Sequence, residues 1–271
     1  MKNSSIPGFA SAKCVAAGFR MGAQGTHTSR TLMLSEIDDV LTTVPHAAQR
    51  GEFAQAIIDG NVLGKNTASN RRLTNQRLGE LYGLDARIPI FRVLQRVWLA
   101  DPDGRPRSAL LCALARDPLL RASADAILGL HVGEELVRSR FVESIQRHSE
   151  NRLNDAVLDK VARNAASSWT QSGHLEGRVR KHRQLVEATP GAVAFALWLG
   201  SLEGRVGNDL LSSFWCSVFD ASPHQLREAA LRAKQLGLIK ASIAGEVVQI
   251  DPTPILPPIP SIFLEPRHGE N

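Results

Sequence analysis

Cysteine is scarce in this chain, and the three residues present lie far apart in sequence. Cys14, Cys112 and Cys216 are odd in number and form no C-x-x-C pair. This excludes a disulfide framework and a zinc knuckle, and it fits a reducing, cytoplasmic setting. No apolar run approaches the roughly 18 consecutive residues of a membrane span, so no membrane partner is expected. Lys2 opens the chain, but Pro7, Gly8 and Lys13 interrupt any apolar stretch behind it, so no signal peptide is expected. Aromatics make up only 5%. Among them, Trp169 follows Val157, Leu158, Val161 and Ala165 on one long helical pattern. It is expected to be buried there, because stacking on a base requires an exposed ring and a single strand.

Catalytic patterns are missing as well. No G-x-S-x-G sets a serine on a strained turn. The eight histidines show neither Glu-x-x-His nor His-x-x-x-His spacing. His46, His131 and His224 stand alone near helix starts, and His174 and His182 are expected as exposed contacts rather than ligands. Asp38–Asp39 and Glu134–Glu135 are paired acids, but each pair fits a first helical turn, where the macrodipole favours negative charge. GNVLGKNT (60–67) falls short of a phosphate-binding loop. Three residues separate its glycines instead of four, Asn66 stands where a magnesium-binding hydroxyl belongs, and no strand precedes it. GAQGTHTSR (22–30) lacks both strand and lysine. The expectation is a non-enzymatic protein with no catalytic residue, no metal and no cofactor.

What is present is a basic, core-forming chain. Its 271 residues allow one large domain or two ordinary ones, and 43% apolar content suffices for a core. The formal charge of +5 favours polyanionic partners. Residues 1–30, rich in Gly, Ser and Ala, read as a poorly ordered arm. A helical domain with a helix-turn-helix is expected over 31–130. Ser35 is taken as the cap of a short helix in LSEIDDVLTTVP. GEFAQAIIDGN gives a second helix. After a tight turn, Thr67 caps a third that runs to about Tyr82, with Gly83 as its stop. IPIFRVLQRVWLA is amphipathic, and SALLCALARD and PLLRASADAILGL read as packing helices.

A second helical domain is expected over 131–251, followed by a proline-rich tail, 252–271. Its first helix is expected from about 134 to His148, and its second is NRLNDAVLDKVARNAASSWTQSG. Thr189–Pro190 opens a third. DLLSSFWCSVFD reads as a helix, Ser222–Pro223 caps another, and LIKASI and EVVQID alternate as strands joined at Ala244–Gly245. Helix, helix, hairpin is the order of a winged helix. The fold class is therefore mainly α, with helix-turn-helix or winged-helix units and a small C-terminal β-hairpin wing.

Two basic segments suit such units. In GKNTASNRRLTNQRLGELYG (64–83), Leu73, Leu78, Leu81 and Tyr82 can face inward. That leaves Lys65, Ser69, Asn70, Arg71, Arg72 and Gln76 for phosphates and base edges. In RVRKHR, the cations Arg178, Arg180, Lys181 and Arg183 crowd into six positions. A solvated helix face or surface loop would have the same composition. Two such segments in suitable contexts favour double-stranded DNA as partner, bound through phosphates and weakened by salt.

NVLGKNTASNRRLTNQRLGELYGLD (61–85) also resembles the N-terminal segment of the BrxA-like proteins of BREX bacteriophage-defence systems. Asn61, Val62, Leu63, Arg71, Arg72, Arg77, Leu78 and Leu81 match that pattern. LLCALARDPLLRASADAIL is similar to the family's next helical segment, and SSWTQSGHLEGRVRKHR falls where its second basic helix would. The resemblance spans about residues 30–185, and the chain continues beyond it. It implies an all-helical, DNA-binding accessory protein without enzymatic activity, working beside other defence-system proteins. A sequence-specific transcription regulator and a scaffold that binds proteins through winged helices are the alternatives.

Overall fold

In a computed structural model of the chain, the structure describes residues 11–22, 24–149, 152–244 and 247–259. Helices dominate, and several of them start at a capping side chain. Ser11 caps α1 (Ala12–Ala17), and a 3₁₀ turn forms at Thr26–Thr28. α2 (Leu34–Thr43) is entered through Met33 in the left-handed region, so Ser35 sits in the first turn instead of capping it. α3 (Arg50–Ile58) opens with a capping box between Gln49 and Glu52. Thr67 accepts the Asn70 amide and starts α4 (Ala68–Tyr82), as the sequence predicts. α5 (Pro89–Ala100) and α6 (Arg105–Arg116) flank a 3₁₀ turn at Pro102–Gly104, and both carry proline in the first turn.

The chain then forms α7 (Pro118–Arg121) and α8 (Ala124–Leu128), two short helices where one longer element is expected. α9 (Arg138–His148) starts later than expected, because residues 134–136 pair with another segment. Asn154 caps α10 (Asp155–Gln171). Next come β1 (Leu175–Glu176) and β2 (His182–Arg183), then α11 (Pro190–Leu202). DLLSSFWCSVFD breaks into α12 (Asn208–Leu211) and a 3₁₀ turn at Cys216–Val218. Ser222 and Gln225 form a capping box on α13 (Pro223–Gln235). β3 (Lys240–Ala244) and β4 (Val247–Asp251) pair antiparallel from Lys240–Asp251 to Ala244–Val247. Gly245, assigned to their turn, lies outside the described residues, as do 260–271 of the tail.

α11 is the centre of the fold. Its stretch from Ala192 to Leu199 has no polar side chain, and every residue from Gly191 to Gly200 is buried. A helix that is apolar all round must be covered on every side, and α5, α6 and α13 supply that cover. Its first amides are buried and would be costly unpaired, and Asp101 answers them by accepting Gly191 N–H at 2.7 Å.

One continuous core joins residues on both sides of the boundary expected at 130/131. Trp169 is fully buried, as expected, and donates its indole N–H to Ser123 Oγ at 2.8 Å. The segment expected as an arm also differs over its described part. Cys14 and Phe19 are buried, and Phe19 stands edge-on to Trp215 with ring centroids 5.6 Å apart. These apolar side chains, together with Arg20 N–H donating to Ala115 O at 3.2 Å, dock the segment, a signal that its Gly/Ser/Ala composition masks. Among the described residues, no helix is long and apolar enough to cross a membrane.

Candidate nucleic-acid interface

The first basic segment forms α4, but most of its polar groups already have protein partners. Lys65 Nζ contacts Glu36 at 2.9 Å, and burial notwithstanding, that ammonium holds the Glu36 carboxyl below its ordinary range. Asn70 Oδ1 accepts from Arg30 at 3.0 Å. Arg71 Nη1 donates to Ile58 O at 2.8 Å and ties α4 to the end of α3. Gln76 donates to Glu80, which Arg77 also holds at 2.7 Å. Ser69 and Arg72 are exposed, and Arg72 makes no hydrogen bond or ion pair among the described residues. Leu73 is only half-buried, whereas Leu78, Leu81 and Tyr82 are buried as expected.

The second segment is a tight antiparallel hairpin, with Leu175 opposite Arg183 and Glu176 opposite His182. Its turn depends on Gly177, which has φ 112°. A Cβ there would overlap the Arg180 carbonyl oxygen, so the turn is closed to any other residue without rearrangement. Arg178, Val179 and Arg180 form the exposed tip, with Val179 92% accessible. Arg180 approaches Glu135 at 4.0 Å, a loose surface pair. Lys181 folds back to donate to Thr170 Oγ1 at 2.8 Å, and partial burial draws its pKa down.

Two expectations fail here. Arg183 is not a surface cation: it is 1% exposed and holds Asp220 at 2.9 Å. Period-two alternation in β2 turns it inward, while a reading by composition counts it with its neighbours. His174 is likewise buried rather than an exposed contact. Its Nε2–H donates to the Val218 carbonyl at 2.9 Å, and Nδ1, 2.9 Å from Ser172 Oγ, is left to accept. Burial lowers its pKa to about 3, so it is neutral. His182 is half-exposed.

The hairpin is widened by a third short segment. Glu135 bridges His182 antiparallel, Leu136 N–H donates to Lys181 O at 2.8 Å, and Arg183 N–H donates to Glu134 O at 2.9 Å. The order along the chain is thus bridging segment, α9, α10, β1, tip, β2. α10 turns Leu158, Val161, Ala162, Ala165 and Trp169 inward. Its opposite side carries exposed Lys160 and Arg163, and α9 adds exposed Arg138, Arg140 and Arg147. Asp159 partly neutralises this surface by pairing with Arg138 and, at 3.2 Å, with Arg163. Sequence reasoning missed Lys160 and Arg163. The signal was there, because the apolar period of α10 fixes its outer row.

Part of the positive charge is internal. Arg92, Arg116, Arg121 and Arg183 are all buried, and the first three donate to main-chain carbonyls such as Ala86 O, Glu80 O and Leu114 O. Asp85, Asp101 and Asp117 are buried as well, so these arginines are internal without changing the sign of the outer charge.

Sequence reasoning also missed a buried chain of three side chains. His27 Nδ1 lies 2.8 Å from Asp117 Oδ2, and Nε2 lies 2.7 Å from Ser168 Oγ. The atom order is that of an acyl-transfer triad, but Ser168 is fully enclosed. Its oxygen accepts Leu32 N–H at 2.8 Å and lies 2.9 Å from Asn164 O. No substrate carbonyl reaches such an oxygen, and the three groups act as a structural tie. Burial pushes the Cys112 and Cys216 thiols up to about 12, which keeps both protonated and unreactive. Among the described residues, no group of three or more His, Cys, Asp or Glu side chains is placed to hold a metal ion. Comparison with family models and with curated proteins finds no match to this chain.

Proposed function

We propose that this chain binds double-stranded DNA without acting on it chemically, and that residues 131–186 form a winged-helix unit in contact with the phosphates. The observation that carries this reading is the exposed Arg178–Val179–Arg180 tip on a hairpin that directly follows the α9–α10 helix pair. The bridge from Glu135 to His182 supplies the extra strand that a winged helix places before its second helix. In that arrangement α10 lies in the major groove, and Lys160 and Arg163 face the duplex while the tip meets the flanking backbone. α12, α13 and the β3–β4 hairpin follow the same helix–helix–hairpin order and make a second such unit. On α4, the free groups Ser69 and Arg72 add a further contact row. The resemblance to BrxA-like proteins supports an accessory role in a phage-defence locus.

A fluorescence-anisotropy salt titration on a duplex tests the reading. Arg178→Glu with Arg180→Glu replaces two attractions by two repulsions, and it is expected to abolish duplex binding near physiological salt with the melting temperature unchanged. Retained affinity removes the hairpin from the interface. No affinity for any duplex at low salt, even in the unaltered chain, points instead to protein-binding winged helices. A regulator is told apart by competition, since it holds its own site at least about a thousandfold more tightly than random sequence.

A further inference from the structure

α8 and α9 touch but leave a groove between them. Gly129 ends α8, and the strip that follows is drawn towards β2, where Leu136 N–H donates to Lys181 O and Arg183 N–H donates to Glu134 O. α9 begins only at Arg138, and an open space of about 360 Å³ remains beside it. The floor is apolar. Leu130 and Leu136 are half-buried there, Phe141 is enclosed, and Val137 leaves 46% of its surface exposed. A concave apolar site of about 300 Å³ or more with a few polar groups is the form that small-molecule sites take.

The charged side chains of the groove fall into two groups. Glu134 accepts His131 N–H at 3.0 Å, and Asp125 lies 3.3 Å from His148 Nε2, so these two carboxylates are engaged. Arg140, Glu143 and Arg147 also line the groove, and among the described residues they form no hydrogen bond or ion pair. Spacings of three and four residues put Glu143 about one helical turn from each arginine, within reach of both, yet neither closes on it. On the same helix, Arg138 does pair with Asp159. The free set is therefore one anion flanked by two cations on a single helix face, beside an apolar floor.

A ligand that satisfies all of it carries a carboxylate, an ammonium on the adjacent carbon and an apolar group. An apolar acid without the ammonium sets a second negative charge beside Glu143, and an apolar amine faces two arginines. We propose that this groove binds a free α-amino acid with a large apolar side chain. Its ammonium meets Glu143, its carboxylate meets the flanking arginines, and its side chain lies against Leu130, Leu136 and Val137.

Isothermal titration of the full chain with L-phenylalanine, 3-phenylpropanoate, phenethylamine and glycine tests the assignment. Phenylalanine should bind most tightly, and loss of its ammonium, its carboxylate or its side chain should each weaken binding by about fivefold or more. Phenethylamine should be weaker than 3-phenylpropanoate, because the arginines outnumber Glu143. Glu143→Gln should weaken phenylalanine by about fivefold or more and leave 3-phenylpropanoate no weaker, a pattern that loss of folding does not produce. Arg140→Gln with Arg147→Gln should weaken both ligands. All three side chains are exposed, so the melting temperature should not move. In an isotope-labelled chain, phenylalanine should shift the amide resonances of α8, α9 and residues 129–137. No binding at millimolar phenylalanine overturns the proposal, as does equal affinity for 3-phenylpropanoate. Indifference to Glu143→Gln, or amide shifts confined to other elements, also overturns it. No DNA enters these measurements, so duplex binding stands or falls separately.

Discussion

His27 Nδ1 and Asp117 Oδ2 meet at 2.8 Å with neither side chain reaching solvent, and Ser168 closes the far side of the imidazole. Asp117 also accepts the amides of Leu119 and Leu120 at the start of α7, together with that of His27 itself. Burial raises its pKa, but the His27 ring and these donors outweigh that and hold the carboxyl below its usual range. The tie fastens the N-terminal segment to α7 and α10. Gly25 makes it possible, because a Cβ there would overlap the carboxylate.

Asp117→Asn keeps the shape and removes the charge. Loss of one member of a buried pair costs about 3–5 kcal/mol, and the expected loss in urea denaturation is of that order. The N-terminal segment should also become the first site of proteolytic cleavage. An unchanged midpoint would show that the tie contributes nothing.

His174 predicts an acid weakness. Its folded pKa is about 3, and the unfolded value is about 6.5. Between these values the unfolded chain binds the extra proton, so stability falls as pH drops from 6.5 towards 3 and is flat above that window on this account. The slope is about 1.4 kcal/mol per pH unit, or roughly 2 kcal/mol between pH 6.5 and 5. His174→Gln removes the titration. It should lower stability at pH 7.5 and flatten the acid limb, as read from urea midpoints at pH 7.5, 6 and 5.

Two helices that begin at a capping side chain were legible in the sequence, α4 at Thr67 and α13 at Ser222, and Pro190 in its first turn marked the start of α11 although the Thr189 side chain makes no cap bond there. The two-residue strands were not. A strand of two residues has no alternation to detect; β1 pairs with β2 across a tight turn, and β2 is held on its other side by bonds distant in sequence, Leu136 N–H to Lys181 O and Arg183 N–H to Glu134 O. The same blindness placed Arg183 with its exposed neighbours. Lys65, Arg71 and Gln76 were read as surface groups because their partners, Glu36, Ile58 O and Glu80, become neighbours only once the helices pack.

Gly177→Ala tests the hairpin without touching a charge. A residue at φ 112° that also overlaps Arg180 O must break the turn. The strain is on the order of 1–2 kcal/mol before the overlap is counted. The turn is exposed, so the helical circular dichroism signal should be unchanged while duplex affinity falls towards that of the Arg178→Glu, Arg180→Glu chain. Full affinity would mean that the geometry of the tip is irrelevant.

Arg183 and Arg178 are five residues apart and should behave oppositely. Arg183→Ala leaves Asp220, a quarter exposed and still accepting Val186 N–H at 2.8 Å, without its cation, and should cost about 1–3 kcal/mol in stability. Arg178→Ala removes an exposed side chain, so stability should move by less than about 0.5 kcal/mol. Its effect belongs in the salt titration, where the slope should fall by about 0.9 for one lost phosphate contact. Equal thermal shifts for the two variants would contradict the assignment.

The last pair separates two adjacent arginines on α4. Arg71 Nη1 is committed to Ile58 O, and its Nε is already buried without a partner. Arg72 is exposed and unpaired among the described residues. Arg71→Ala leaves a carbonyl at the end of α3 without its donor, and the cost is about 1–3 kcal/mol. It should appear as a lower melting temperature, with duplex affinity following the folded fraction. Arg72→Ala should leave the melting temperature in place. If α4 faces DNA together with the hairpin, Arg72→Ala lowers affinity at 150 mM salt and reduces the salt slope by about 0.9, and its effect adds to that of Arg178→Ala, because exposed contacts without shared partners are independent. If Arg72→Ala changes neither quantity while Arg178→Ala changes both, the duplex is held by residues 131–186 alone, and α4 is a packing helix whose one free arginine is solvated.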